Sequence, residues 1–246
     1  VLGTDAATNV ARALPAHRER WQPIVGVLAV LALLKLATSV LGITGAVVGV
    51  LATAGVLVVV RHHARLSLHD IGISWHALRR GAVWSLAFGG MFAAGFAAVG
   101  LIARIVPTVA AWVSSLQVSA PDWDMVALQA LVTIPLGTVL VEEVAFRGAL
   151  PALLGRAGAS ARRAIVVSAV LFGLWHVAPS LSAGVASGAP PASVALAVAG
   201  TVLFTTVSGI GLGWLRHRSR SLLPPMAVHL ATNSLGLGLL WLVTVA

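Results

Sequence analysis

The chain has 246 residues, 59% of them hydrophobic and 9% charged, with 16 Lys and Arg against 7 Asp and Glu for a formal net charge of +9; its mean hydropathy is +0.98. A soluble core of this length needs more polar surface, so the composition excludes an ordinary globular enzyme and places the chain among polytopic membrane proteins. Nucleic acid is not an expected partner, because no basic motif interleaved with aromatics accompanies the positive charge, and the absence of cysteine excludes disulfides and thiolate metal sites.

Residues 1–23 are polar and basic through Arg12, Arg18, Glu19 and Arg20, and run directly into an apolar stretch without an A-x-A cleavage site. They read as a cytoplasmic N-terminal segment and not as a removable signal peptide. Apolar runs follow at 24–41, 43–60, 82–103, 125–150, 160–178, 192–215 and 224–245. Each approaches the roughly 20 residues that a spanning helix requires, so an all-α fold of about seven transmembrane helices is expected, with six and eight as the alternative counts.

The first two runs are separated only by the Ser39 to Gly45 region, which reads as a tight hairpin. The stretch Leu66 to Arg80, with Trp75, His76, Arg79 and Arg80, reads either as an amphipathic helix on the inner interface or as a plain basic loop. Pro121-Asp122-Trp123-Asp124 has the form of a helix start, Pro135 predicts a kink in the fourth run, and Ser160 is placed to cap the fifth. Pro190-Pro191 and Pro224-Pro225 open the last two.

Of the 16 Lys and Arg residues, 14 lie on alternate loops or their borders, the exceptions being Lys35 and Arg104. By the positive-inside rule this alternation implies a multi-pass protein of the cell membrane, with its N-terminus in the cytoplasm and its C-terminus outside. The chain divides accordingly into the segment 1–23, N-terminal transmembrane helices over 24–105 and a core over 125–246.

Three polar constellations interrupt the apolar core. The fourth run carries Glu142, Glu143 and Arg147, the fifth Phe172-Gly-Leu-Trp175-His176, and the seventh His229-Leu-Ala-Thr-Asn233. An ionisable group at bilayer depth costs roughly 2.5 to 3.5 kcal/mol, so two adjacent carboxylates need an offsetting role. Glu143 and Arg147 are four residues apart and share a helix face, which predicts an ion pair, while Glu142 is turned about 100° away. His229 and Asn233 also share a face, and Phe172 stands one turn before His176. A carboxylate, two imidazoles and an amide converging in a dry pocket can activate water and stabilise an oxyanion. Two histidines and a glutamate are equally the ligand set of a catalytic zinc, although no H-E-x-x-H motif accompanies them.

Glu142-Glu143-x-x-x-Arg147, Phe172-x-x-x-His176 and His229-x-x-x-Asn233 resemble the three ordered motifs of the CAAX protease and bacteriocin-processing, or Abi-like, family of intramembrane endopeptidases. The resemblance covers roughly residues 125–240. It implies a catalytic core of four C-terminal helices around a polar, water-filled cavity open to the cytoplasm, with no cofactor. It also implies that Glu142 activates water, that His176 helps hold it, and that His229 and Asn233 donate to the oxyanion. Glu143, Arg147 and Phe172 then take supporting roles, with a zinc-dependent hydrolysis as the mechanistic alternative.

The implied partners are the lipid bilayer and a peptide or membrane-protein substrate. Fifteen Arg against one Lys, with abundant Ala, Val and Gly, point to a high-GC bacterial source, for which prenylated substrates are not expected. The competing class is non-enzymatic: a proton-coupled transporter, or an immunity or interaction scaffold. A transporter of this kind is built from internal repeats, and the hydropathy pattern shows none.

Overall fold

The computed structural model describes residues 17–40, 45–115 and 122–245. Among the described residues the secondary structure is entirely helical, and seven helices are long and apolar enough to cross a membrane. They are Arg20–Thr38, Ala46–His63, Trp75–Ile105, Trp123–Arg156, Ala161–Ala186, Pro191–Ser219 and Leu223–Val243, called here the first to seventh spans. The count agrees with the hydropathy reading. Most of the N-terminal segment, and residues 41–44 of the proposed hairpin, lie outside the described residues.

The third span departs from its apolar run by starting at Trp75. Ser74 has extended backbone and its Oγ accepts from the Ala77 N–H at 3.2 Å, an N-cap that draws Trp75–Arg80 into the helix. Of the stretch Leu66 to Arg80, residues 66–74 are therefore a turn and Trp75–Arg80 the start of a span, and no separate interfacial helix forms. A further helix, Pro107–Ser115, is too short to span. Ser160 caps the fifth span as its sequence suggests, accepting from the Arg163 N–H at 3.4 Å, and Pro191 and Pro224 occupy first-turn positions.

The turn between the second and third spans is ordered by local bonds. Asp70 Oδ2 accepts from the Ser67 N–H at 2.7 Å and from the Ser67 hydroxyl at 2.8 Å. These two bonds hold the Asp70 carboxyl below its ordinary range, with smaller help from the charges of His69 and Arg156. Three contacts gather the basic turns at one end of the bundle: Arg156 Nη1 donates to Ala64 O, Arg216 Nη2 to Asp70 O at 3.1 Å, and the Leu222 N–H to Gly72 O at 3.3 Å.

Lipid tails are as apolar as leucine, so helix association in a membrane depends on close packing and not on hydrophobic burial. The second and fourth spans meet backbone to backbone at Gly49 and Gly137, where a Cβ on Gly49 would collide with Gly137 Cα and Leu136 O. The fifth and sixth meet likewise at Gly173, where a Cβ would collide with Thr206 Oγ1. The main buried cluster joins Val27 and Val56 of the first two spans to Val141, Leu150 and Phe172 of the fourth and fifth. The N-terminal spans are thus packed directly against the motif-bearing helices.

Candidate active site

Three prolines shape the helices that carry the motifs. Proline lacks an N–H, and its ring opposes the carbonyl four residues earlier, so an uninterrupted α-helix cannot hold it. The fourth span accommodates Pro135 inside the π-helical segment Gln129–Val139, and a second π segment, Val144–Ala149, ends just before Pro151. Glu142 and Glu143 occupy the four-residue α segment Leu140–Glu143 between the two. π-Helical turns are concentrated at functional sites. In the fifth span Pro179 opposes the Trp175 carbonyl, and there the helix breaks: Ala161–Trp175 ends, His176 takes φ −88° and ψ −4°, and Val177–Ala186 resumes.

The polar groups meet where the fourth, fifth and seventh spans converge against the first. Relative exposure is 5% for Glu142, 0% for Glu143, 2% for Arg147 and 7% for His229. Glu143 Oε1 lies 2.9 Å from Arg147 Nη1, the pair anticipated from their spacing, and the guanidinium lies 3.9 Å above the Phe172 ring. The same Oε1 is 2.8 Å from His229 Nδ1. A carboxylate accepts, so Nδ1 carries the proton, and the opposite edge of the ring, Nε2, is turned towards Glu142 Oε2 at 3.8 Å. Glu143 therefore serves two partners where its sequence spacing indicated one.

Glu142 is held differently. Its Oε1 accepts from the Trp175 indole N–H at 2.7 Å, whereas its Oε2 is buried without a hydrogen-bond partner. Lys35 of the first span places Nζ 3.9 Å from the centroid of the Trp175 ring. Neither Trp175 nor Lys35 was singled out as a site residue from sequence. The usable signals were that Lys35 is the chain's one lysine and lies within an apolar run, and that Trp175 adjoins His176.

Phe172 organises the histidines. Its ring meets His176 edge-on at 4.7 Å between centroids, His229 at 6.0 Å and Phe146 at 5.3 Å. His176 is half-buried and donates from Nδ1 to its own helix at Phe172 O, 2.8 Å away, leaving Nε2 as the acceptor of the neutral ring. Asn233 is half-buried in the π-helical turn Ala231–Leu235, whose wider winding changes the register expected from a four-residue spacing. Thr232 Oγ1 takes the His229 carbonyl at 2.9 Å and Ser234 Oγ reaches Ala130 O at 2.8 Å. The structure thus brings Glu142, Glu143, Arg147, Phe172 and His229 into one contact network, with His176 joined through Phe172. Among the described residues no contact ties Asn233 to the glutamates.

Among the described residues, no group of three or more His, Cys, Asp or Glu is arranged to hold a metal ion. Glu143 is engaged by Arg147 and by His229 Nδ1, and the His176 Nδ1 proton is engaged by a carbonyl, so the donor set does not form the three-ligand centre that zinc requires. An open cavity lies elsewhere. It encloses about 890 Å³ between the third, fourth and seventh spans, is mostly apolar, and includes Phe96, Arg104, Trp123 and Ser234 in its lining.

Comparison with curated proteins and with solved structures yields no match. Residues 123–235 match the family model described as type II CAAX prenyl endopeptidase Rce1-like. That stretch holds all three motifs, from Glu142 to Asn233. Over residues 123–235 the chain is therefore similar to the Rce1-like type II CAAX prenyl endopeptidases of the CAAX protease and bacteriocin-processing family.

Proposed function

We propose that this protein is an intramembrane endopeptidase that hydrolyses a peptide bond at or near the membrane with water activated by Glu142. The observation that carries this reading is the unequal treatment of the Glu142 oxygens: Oε1 is fixed by Trp175, and the buried, unpartnered Oε2 faces His229 Nε2 at 3.8 Å. That separation exceeds a direct hydrogen bond, but a water placed between the two atoms would be within reach of both.

In the proposed step Glu142 takes a proton from water as its oxygen attacks the substrate carbonyl carbon, then returns the proton to the amide nitrogen as the C–N bond breaks. His229, held at Nδ1 by Glu143, presents Nε2 to the same space and in its protonated form donates to the oxyanion. Asn233 is assigned as the second donor, and His176 Nε2 as an acceptor for the water. Glu143, Arg147 and Phe172 hold His229 in place. No step calls on a metal, because the donors do not gather as ligands.

The basic turns gathered at one end of the bundle support an orientation with the N-terminus in the cytoplasm and the C-terminus outside. The core is assigned to residues 125–246, and the substrate to a peptide or membrane protein presented from the bilayer. A bacterial source, read from the Arg-rich composition, disfavours prenylated substrates. The test is cleavage of a peptide library by purified protein in proteoliposomes, with products identified by mass spectrometry. Endoproteolytic fragments are expected, and intact peptides at every protein concentration would reject the reading in favour of a non-enzymatic scaffold.

A further inference from the structure

Lys35 is an oddity that the three motifs do not absorb. It is the only lysine of the chain and it stands inside the first span, within residues 24–105 and well away from the motif helices in sequence. A lysine near a helix end usually extends its stem to bring the ammonium to the headgroups. Lys35 instead rests its ammonium on the Trp175 ring, 3.9 Å from the centroid, and lies within electrostatic reach of Glu142. The opposite requirement applies to Glu142, a buried carboxylate that needs a compensating charge. Arg147 acts electrostatically on Glu142 as well, but it is already in contact with Glu143.

Trp175 links the two. Its ring faces Lys35 and its N–H donates to Glu142 Oε1 at 2.7 Å. A cation over the indole face draws electron density from the ring and makes the N–H a stronger donor, so the two contacts reinforce one another. With Oε1 held in this way, the carboxylate plane is fixed and Oε2 is left turned to His229. The groups acting on Glu142 are then Trp175 from the fifth span and His229 from the seventh by contact, and Lys35 from the first span and Arg147 from its own helix through their charge.

We propose that Lys35 and Trp175 are positioning residues for Glu142: the indole N–H sets the direction of the carboxylate, and the ammonium stacked on the indole supplies its counter-charge. This rests on the reading of Glu142 as the base. It also gives the first span, outside the matched residues 123–235, a direct part in the reaction.

The test compares wild type, Glu142→Gln, Lys35→Met, Lys35→Arg, Trp175→Phe and the Lys35→Met/Trp175→Phe double variant in peptide cleavage. Indole N–H resonances of labelled protein in micelles are recorded in parallel, with Trp175 identified by its absence from Trp175→Phe. Misdirecting the carboxylate should lower kcat about 10- to 100-fold in Lys35→Met and Trp175→Phe, with KM little changed. Lys35→Arg should restore most of kcat, and the double variant should lose no more than Trp175→Phe alone. The Trp175 resonance should move in both Glu142→Gln and Lys35→Met.

An unmoved Trp175 resonance in Glu142→Gln would overturn the proposal whatever the activities. So would kcat values at wild-type level in Lys35→Met and Trp175→Phe while Glu142→Gln is inactive. Cleavage that persists in Glu142→Gln would instead reject the underlying role of Glu142, and the positioning role with it.

Discussion

His229 and Glu143 are joined through Nδ1 and Oε1 at 2.8 Å, although 86 positions separate them in the chain. This contact fixes which face of the imidazole is turned to Glu142. It also makes Glu143 the common partner of the fourth and seventh spans, because the same oxygen lies 2.9 Å from Arg147.

Removing the charge of Glu143 should therefore damage the fold before the chemistry. Glu143→Gln leaves the Arg147 guanidinium buried without its carboxylate, and breaking a buried pair in this way costs about 3 to 5 kcal/mol. Thermal unfolding in detergent should show a large loss of stability. A melting temperature at the wild-type value would mean that the pair does not hold the spans together.

Phe172→Leu separates packing from positioning. Leucine keeps much of the apolar volume, so the stability cost should stay below about 1.5 kcal/mol. It removes the aromatic face under Arg147 and the ring edges against His176 and His229. Cleavage should fall by about tenfold or more as His229 loses its fixed orientation. Equal activity in this variant and wild type would show that the ring only fills space.

Gly173→Ala drives a methyl group into Thr206 Oγ1 where the fifth span crosses the sixth. Overpacking of this kind costs about 1 to 3 kcal/mol, and the shift would be transmitted to Trp175 and His176 half a turn later. Both melting temperature and cleavage should fall, with partial recovery in Gly173→Ala/Thr206→Ala. A neutral Gly173→Ala would show that the helices do not approach as closely as described.

Chelation gives a further check on the mechanism. With no three-donor cluster among the described residues, cleavage should persist at wild-type rate after treatment with a zinc chelator. Abolition by chelator and recovery with added zinc would establish the metal alternative.

Much of this architecture was legible in the sequence because a bilayer imposes a simple rule: about 20 apolar residues in a row make a span. The count of seven and the pairing of Glu143 with Arg147 follow from spacing alone. The short helix Pro107–Ser115 and the extension of the third span back to Trp75 do not, because neither depends on crossing the hydrocarbon layer. The break at His176 was signalled by Pro179, whose clash falls on the Trp175 carbonyl, but reading it required the helix to be traced through the motif.

Within the site, the motif spacing located the groups on their helices without showing which atoms meet. The second partner of Glu143 arises from a tertiary contact that no periodicity encodes. Lys35 was visible as an intramembrane charge, yet its link to Glu142 passes through an indole 140 positions later. Asn233 shows the limit of helical spacing itself, since the π-helical turn over Ala231–Leu235 alters the winding on which a four-residue argument depends.

The most direct test of the account is the rate of peptide cleavage by Glu142→Gln beside wild type, in the same proteoliposomes and at matched folded protein. Gln keeps the shape and still accepts from Trp175, but it cannot take a proton from water. The account predicts a fall in kcat of about 10²- to 10⁴-fold, the range for loss of a general base, with the melting temperature close to wild type. Cleavage by Glu142→Gln at the wild-type rate would contradict it.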